Sequence, residues 1–114
     1  MPADPDQSAS DSGDLEPVMV TLTFETHQPD ELLSVLARYV VLSRGMAGCR
    51  NIDLVASVTR PGRLLVVEKW DSIVHQQAHF DGDVMVDMAR ACDGLLSAPP
   101  EVDLFEAVSM HALG

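Results

Sequence analysis

Positive charge is scarce in this chain. Seven Lys and Arg stand against eighteen Asp and Glu, a formal net charge of -11 over 114 residues. Phosphate backbones require a basic surface, so nucleic acid is excluded as the main partner. An anionic membrane surface is disfavoured for the same reason. Cysteine is nearly as scarce: Cys49 and Cys92 cannot make a disulfide framework or a Cys-rich zinc site. No apolar run reaches membrane-spanning length, and no basic stretch followed by an apolar core opens the chain. These absences leave a cytoplasmic protein of one small domain.

What is present suits folding over most of the length, with 46% hydrophobic and 22% charged residues. The exception is residues 1–17. They hold five acids, no Lys or Arg, and Leu15 as the one long aliphatic residue after Met1. Such a segment cannot bury enough apolar surface to offset its ordering entropy. It reads as a disordered acidic tail, with residues 18–114 as the domain.

From Val18 the pattern is period two. Val18, Val20, Leu22 and Phe24 alternate with Met19, Thr21, Thr23 and Glu25, which predicts a strand over 18–26. Pro29-Asp30-Glu31 then suits a helix start, because proline tolerates the first turn and acids there complement the helix dipole. Leu32, Leu33, Leu36, Val40 and Val41 predict a helix over 30–44, stopped by Arg44 and a left-handed Gly45. Residues 49–58 read as a second strand with Ile52, Leu54 and Ala56 on one face. The turn signal Thr59-Arg60-Pro61-Gly62 joins it to a third strand, 63–70, as an antiparallel hairpin. A short helix over 72–80, capped by Asp71 or Ser72, is interrupted at Gly82. A second segment capped by Asp83 carries a stripe of Met85, Met88, Cys92 and Leu95. Pro99-Pro100 ends the helical region, and residues 101–109 make the last strand.

The order β-α-β-β-α-β is that of the α+β ferredoxin-like unit, one antiparallel sheet with helices on one side. In the third strand Leu64 and Val66 oppose Leu65 and Val67, so both faces are apolar. An exposed apolar sheet face marks an interface. Two sheets packed face to face in a two-fold homodimer, a dimeric α/β barrel, would cover it.

Three passages resemble a known family. Ser43-Arg44-Gly45-Met46-Ala47-Gly48-Cys49 resembles an SR-x-x-PGC passage, with Ala47 for the usual proline. Val66-Val67-Glu68-Lys69-Trp70-Asp71 is similar to a vErW strand end, and Ala78-His79-Phe80 to an aaH before the long helix. The family is the antibiotic biosynthesis monooxygenase domain, and the resemblance spans about residues 18–109. It implies a dimeric barrel with a pocket between each sheet and its helices. For many members it implies oxidation of a phenol or anthrone to a quinone by molecular oxygen, with no metal or flavin. That chemistry needs an apolar cavity, a proton acceptor and donors to hold the substrate anion.

His79 is the first candidate base, since imidazole titrates near neutral pH and burial would keep it neutral. Its bland alternative is to close a helix end through a backbone hydrogen bond. Trp70 could stack on a polycyclic ring and offer its N–H; as a structural residue it would anchor sheet to helix. Glu68, on the same strand face, could act as a base with a raised pKa, although a salt bridge to an arginine is the favoured expectation. Arg90 matches, by the resemblance, an arginine that holds substrate in the quinone-forming branch. The same branch carries an asparagine four residues before the tryptophan, where this chain has Val66. Thr21 and Thr23, hydroxyls on the semi-polar face of the first strand, complete the substrate-contacting candidates. His75 and His79 are one turn apart but too few for a metal site. His27 and His111 are expected at the surface.

The competing functions are a non-catalytic binder of an aromatic metabolite, an isomerase of a small ketone or sugar with a more polar pocket, and haem degradation. The last uses a helix histidine as iron ligand in a related branch, and Asp87-Met88-Ala89-Arg90-Ala91 supplies none.

Overall fold

The structure is a computed structural model and describes residues 16–109. The proposed acidic tail lies outside the described residues except for Glu16 and Pro17, and so does His111. Seven elements follow in order: β1 (Val18–Glu25), α1 (Pro29–Arg44), β2 (Cys49–Ala56), β3 (Arg63–Trp70), α2 (Ile73–Phe80), α3 (Asp83–Ala91) and β4 (Glu101–Glu106). The four strands form one antiparallel sheet in the order β2-β3-β1-β4, the ferredoxin-like arrangement.

The alternation in β1 becomes a division between faces. Val18, Val20, Leu22 and Phe24 are buried, as are Leu64, Val66, Glu68 and Trp70 on β3 and Ile52 on β2. Against this inner face α1 lays Leu32, Leu36, Tyr39, Val40 and Ser43. Burying a leucine such as Leu32 is worth about 1.5–3 kcal/mol, so this stripe docks the helix. Leu33 and Val41, counted in the predicted periodic set, are exposed instead. They sit one position beyond the buried stripe on either side, which 3.6-residue periodicity places toward solvent.

Several boundaries differ from expectation. Gly45 is not left-handed (φ -87°), and the positive φ falls at Gly48 (φ 82°), after the turn. Ser72 caps α2, its Oγ accepting from the His75 backbone N–H. Gly82, not Asp83, is the cap residue of α3, and Asp83 is its first helical residue. The helix stops at Ala91, well before Pro99-Pro100, and the chain turns through Gly94 at φ 80°. The second and last strands end at Ala56 and Glu106, earlier than their apolar runs suggested. Each run leaves the ladder after a single further backbone bond, from the Ser57 N–H to the Arg63 carbonyl (2.9 Å) and from the Ala107 N–H to the Pro17 carbonyl (3.3 Å).

The segment after α3 is tied to the end of β1. Thr26 Oγ1 donates to the Leu95 carbonyl (2.5 Å) and accepts from the Gln28 N–H (2.8 Å), while the Ser97 N–H donates to the Glu25 carbonyl (2.8 Å). These bonds hold residues 93–100 as a wall beside the inner face of β1 and β4. No helix among the described residues is long and apolar enough to cross a membrane.

Candidate functional site

Helices cover the inner face unevenly. Over β3 and Ile52 of β2 the face is sealed, but over β4 Val102 and Leu104 remain about half exposed. Beside this uncovered strip lies a cavity of about 730 Å³. Leu22 and Phe24 of β1, Met85 and Met88 of α3, Phe80 and Pro99-Pro100 are among the residues that line it. Cys92, Asp93 and Ser97 supply the polar side-chain atoms of its lining. Burial pushes the Cys92 thiol up, so that group enters as a neutral small side chain. The volume and the apolar lining suit a small, mostly apolar organic molecule.

A second feature lies under α1 and α2. Glu68, nearly fully buried, accepts from the Trp70 indole N–H (2.9 Å) at Oε1 and from the Tyr39 hydroxyl at Oε2. This corrects the expected salt bridge: a hydroxyl and an indole hold the carboxylate rather than an arginine. Burial raises the Glu68 pKa, and the two donated bonds pull it back only in part. The Tyr39 phenol is driven upward by its burial and by the Glu68 charge.

His79 completes the cluster. Its Nε2 lies 2.8 Å from Ser43 Oγ, and its ring packs 4.6 Å from the Trp70 ring and 5.5 Å from that of Tyr39. It is 3% exposed, and burial lowers its pKa. The bland alternative of a backbone bond at the helix end gives way to this side-chain contact. Gly48 makes room for α2 here. A Cβ built at Gly48 would stand 2.3 Å from His75 Cγ, so the turn before β2 and the seat of α2 depend on each other. The Asp71 N–H donates to the Gly48 carbonyl (2.8 Å), and Arg50 pairs with Asp71 (2.6 Å), fixing the approach to α2.

The structure thus brings Glu68, Trp70 and His79 together and adds Tyr39 and Ser43, which the sequence reading missed. The available signal was the spacing 32-36-39-43 on α1: a buried helical stripe that ends in two hydroxyls. None of the five is among the residues lining the large cavity. Met88 stands between the two features. It lines the cavity and also a groove of about 230 Å³ between α1 and α3, which Tyr39 lines too. Arg90 is exposed on α3, next to the cavity residues Ala89 and Asp93. Thr21 and Thr23 occupy the outer face of β1, opposite Leu22 and Phe24. His75 turns to Gly48 while His79 turns to Ser43, and no group of three or more His, Cys, Asp or Glu among the described residues could hold a metal ion. His27 is exposed.

Comparison with known proteins places this geometry. The profile of the family described as Antibiotic biosynthesis monooxygenase matches residues 17–91. Among solved structures, Rv0793 from Mycobacterium tuberculosis is 25% identical with a TM-score of 0.74, covering 82% of this chain and 97% of that one. SnoaB from Streptomyces nogalater, described as a cofactor-independent oxygenase, is 20% identical with a TM-score of 0.74, covering 83% of this chain and 96% of that one. Protein SO0527 from Shewanella oneidensis is 21% identical with a TM-score of 0.76, covering 82% and 92%. No curated protein sequence matches the chain.

Proposed function

Because the chain belongs to the antibiotic biosynthesis monooxygenase family, we propose that it oxidises an electron-rich aromatic to a quinone with molecular oxygen, using no metal or flavin. The substrate class is a phenol, an anthrone or a quinol. The observation that carries this reading is the apolar cavity of about 730 Å³ between β1, β4 and α3. A fused-ring substrate buries both faces there, between Phe24, Met85 and Met88.

Deprotonation is the protein's main task. The substrate anion passes one electron to oxygen, and the two radicals combine to a peroxide. Loss of water then leaves a carbonyl, one oxygen atom entering the product and the other leaving as water. His79 is the proton acceptor in this reading, kept neutral by burial and braced by the Trp70 ring. Phe80, the next residue and part of the cavity wall, has to swing aside for the substrate to meet it. In this reading Arg90, beside the cavity-lining residues Ala89 and Asp93, holds an oxygen that protrudes from the cavity.

The functional unit in this reading is a homodimer. Met19, Leu65, Val67 and Phe105 share the outer sheet face with Thr21 and Thr23. A second sheet packed on that face removes them from water, and the two threonines then belong to the interface rather than to the substrate.

Non-catalytic binding of an aromatic metabolite is the second reading. It is favoured by the separation of His79 and Trp70 from the cavity lining. The apolar walls give an isomerase of small polar ketones no support. Oxygen uptake by chelator-treated full-length chain with anthrones and dihydroxynaphthalenes separates the readings. Uptake with quinone formation is expected, and His79→Ala should lower kcat about 10²–10⁴-fold. Binding of the same compounds without uptake would support the second reading.

A further inference from the structure

The chain holds one tyrosine and one tryptophan, and both bond to the same carboxylate. The Trp70 indole N–H donates to Glu68 Oε1 (2.9 Å), and the Tyr39 hydroxyl donates to Oε2. All three side chains are buried. The imidazole of His79 packs against both rings, 4.6 Å from Trp70 and 5.5 Å from Tyr39. Indole and phenol are electron-rich rings that give up single electrons. Losing one makes each a strong acid, so the loss is easy where a base already holds the N–H or O–H. Here one base holds both. Burial and the Glu68 charge keep Tyr39 a neutral phenol, so its oxidation has to release a proton, and Glu68 is the acceptor in place. Its two oxygens meet the two donors separately, so the carboxylate can take a proton from one and return a proton to the other without moving.

We infer that Trp70, Glu68 and Tyr39 form a one-electron oxidation site, in which a radical made on the indole moves to the phenol while Glu68 exchanges the protons. The oxidant is a peroxyl radical, formed when a carbon-centred substrate radical captures a second oxygen molecule. That source rests on the oxygenase reading; the site itself does not. The peroxyl radical takes one electron from Trp70 and becomes a peroxide anion, which solvent protonates. The indole N–H proton passes to Glu68 Oε1. The indolyl radical then takes one electron from Tyr39. The Tyr39 O–H proton goes to Oε2, and the proton on Oε1 returns to the indole nitrogen. Trp70 is restored, Tyr39 is a neutral radical, Glu68 is a neutral acid and the electron is on the peroxide. Tyr39 lines the groove between α1 and α3 but not the cavity, so the radical comes to rest away from the bound aromatic.

The test is pulse radiolysis of the full-length chain without any aromatic substrate, with the azidyl radical as oxidant in mildly alkaline buffer. Because the chain has one indole and one phenol, each transient absorption band has a single source. The indolyl band should decay as the tyrosyl band rises, at a rate independent of protein concentration and slower in heavy water. Tyr39→Phe should leave the indolyl radical standing. Glu68→Gln still accepts from Trp70 but cannot take up a proton, and it should slow the transfer about tenfold or more. The heavy-water comparison uses the native chain, so it tests the proton's part even should Glu68→Gln fail to fold. No tyrosyl rise, a rise that scales with protein concentration, equal rates in light and heavy water, or an unchanged rate in folded Glu68→Gln would overturn the inference. Oxygen uptake reports separately. Radical transfer without uptake removes the oxygenase reading and keeps the site, whereas uptake without transfer removes the site alone.

Discussion

Glu68 has the least usual environment of any single residue in this protein, a carboxylate under a helix with a phenol and an indole as its partners. Its folded pKa is raised by burial, so its ionisation opposes folding. The stability it contributes is fully present below the unfolded carboxylate range and is lost as pH rises through the folded value. His79 works in the opposite sense. Its folded pKa is lowered, so the unfolded chain takes the proton first, and stability falls as pH drops below about 6.5. Urea unfolding of Glu68→Gln across the pH range should therefore lack the loss that sets in as pH rises above the unfolded carboxylate range, and keep the loss that sets in below about 6.5. A loss with rising pH that persists unchanged in the variant would show that Glu68 does not titrate as its burial requires. The sequence exposed part of this cluster. Glu68, Trp70 and His79 stood out through resemblance and strand phase. Tyr39 and Ser43 read as ordinary helix positions, because a hydroxyl on a buried stripe acquires meaning only when another element brings it a partner.

Element by element, periodicity was legible and termination was not. The β1 alternation and the hairpin turn at Thr59–Gly62 fix faces locally, so the strands and their order follow from pattern. Helix ends depend on tertiary contacts. Gly45 looks like a left-handed stop, yet it is Gly48 that takes the positive φ, and a Cβ there would collide with the ring of His75. Gly48→Ala should cost at least about 1 kcal/mol from the backbone alone, with a further penalty from displacing His75. Chemical denaturation reads the loss, and the tryptophan fluorescence of Trp70 should shift as α2 lifts from β3. An alanine variant with native stability would mean that α2 does not pack against this turn. α3 shows the other side of the same limit. Nothing in the run through Cys92 and Leu95 says that the helix stops at Ala91, because the bonds from Thr26 and Ser97 that hold the following wall cross the whole domain.

For the whole molecule, the inner face accounts for the core and the cavity, while the outer face still presents Leu65, Val67, Met19 and Phe105 in one patch. The face-to-face homodimer predicts that Val67→Glu sediments as a folded monomer at micromolar concentration while the native chain sediments as a dimer. A native chain that is itself monomeric under those conditions would remove the barrel. The acidic balance, -11 in net charge, belongs to this scale as well: it argues against polyanionic partners and says nothing of the fold. The central claim is that an aromatic held in the cavity between β1, β4 and α3 is oxygenated by molecular oxygen. Isotope labelling tests it most directly, with an anthrone converted by the full-length chain under ¹⁸O₂ and the product examined by mass spectrometry. The predicted result is one ¹⁸O atom in each quinone formed at the catalysed rate. A product that takes its new oxygen from water, or conversion no faster than without protein, would contradict it.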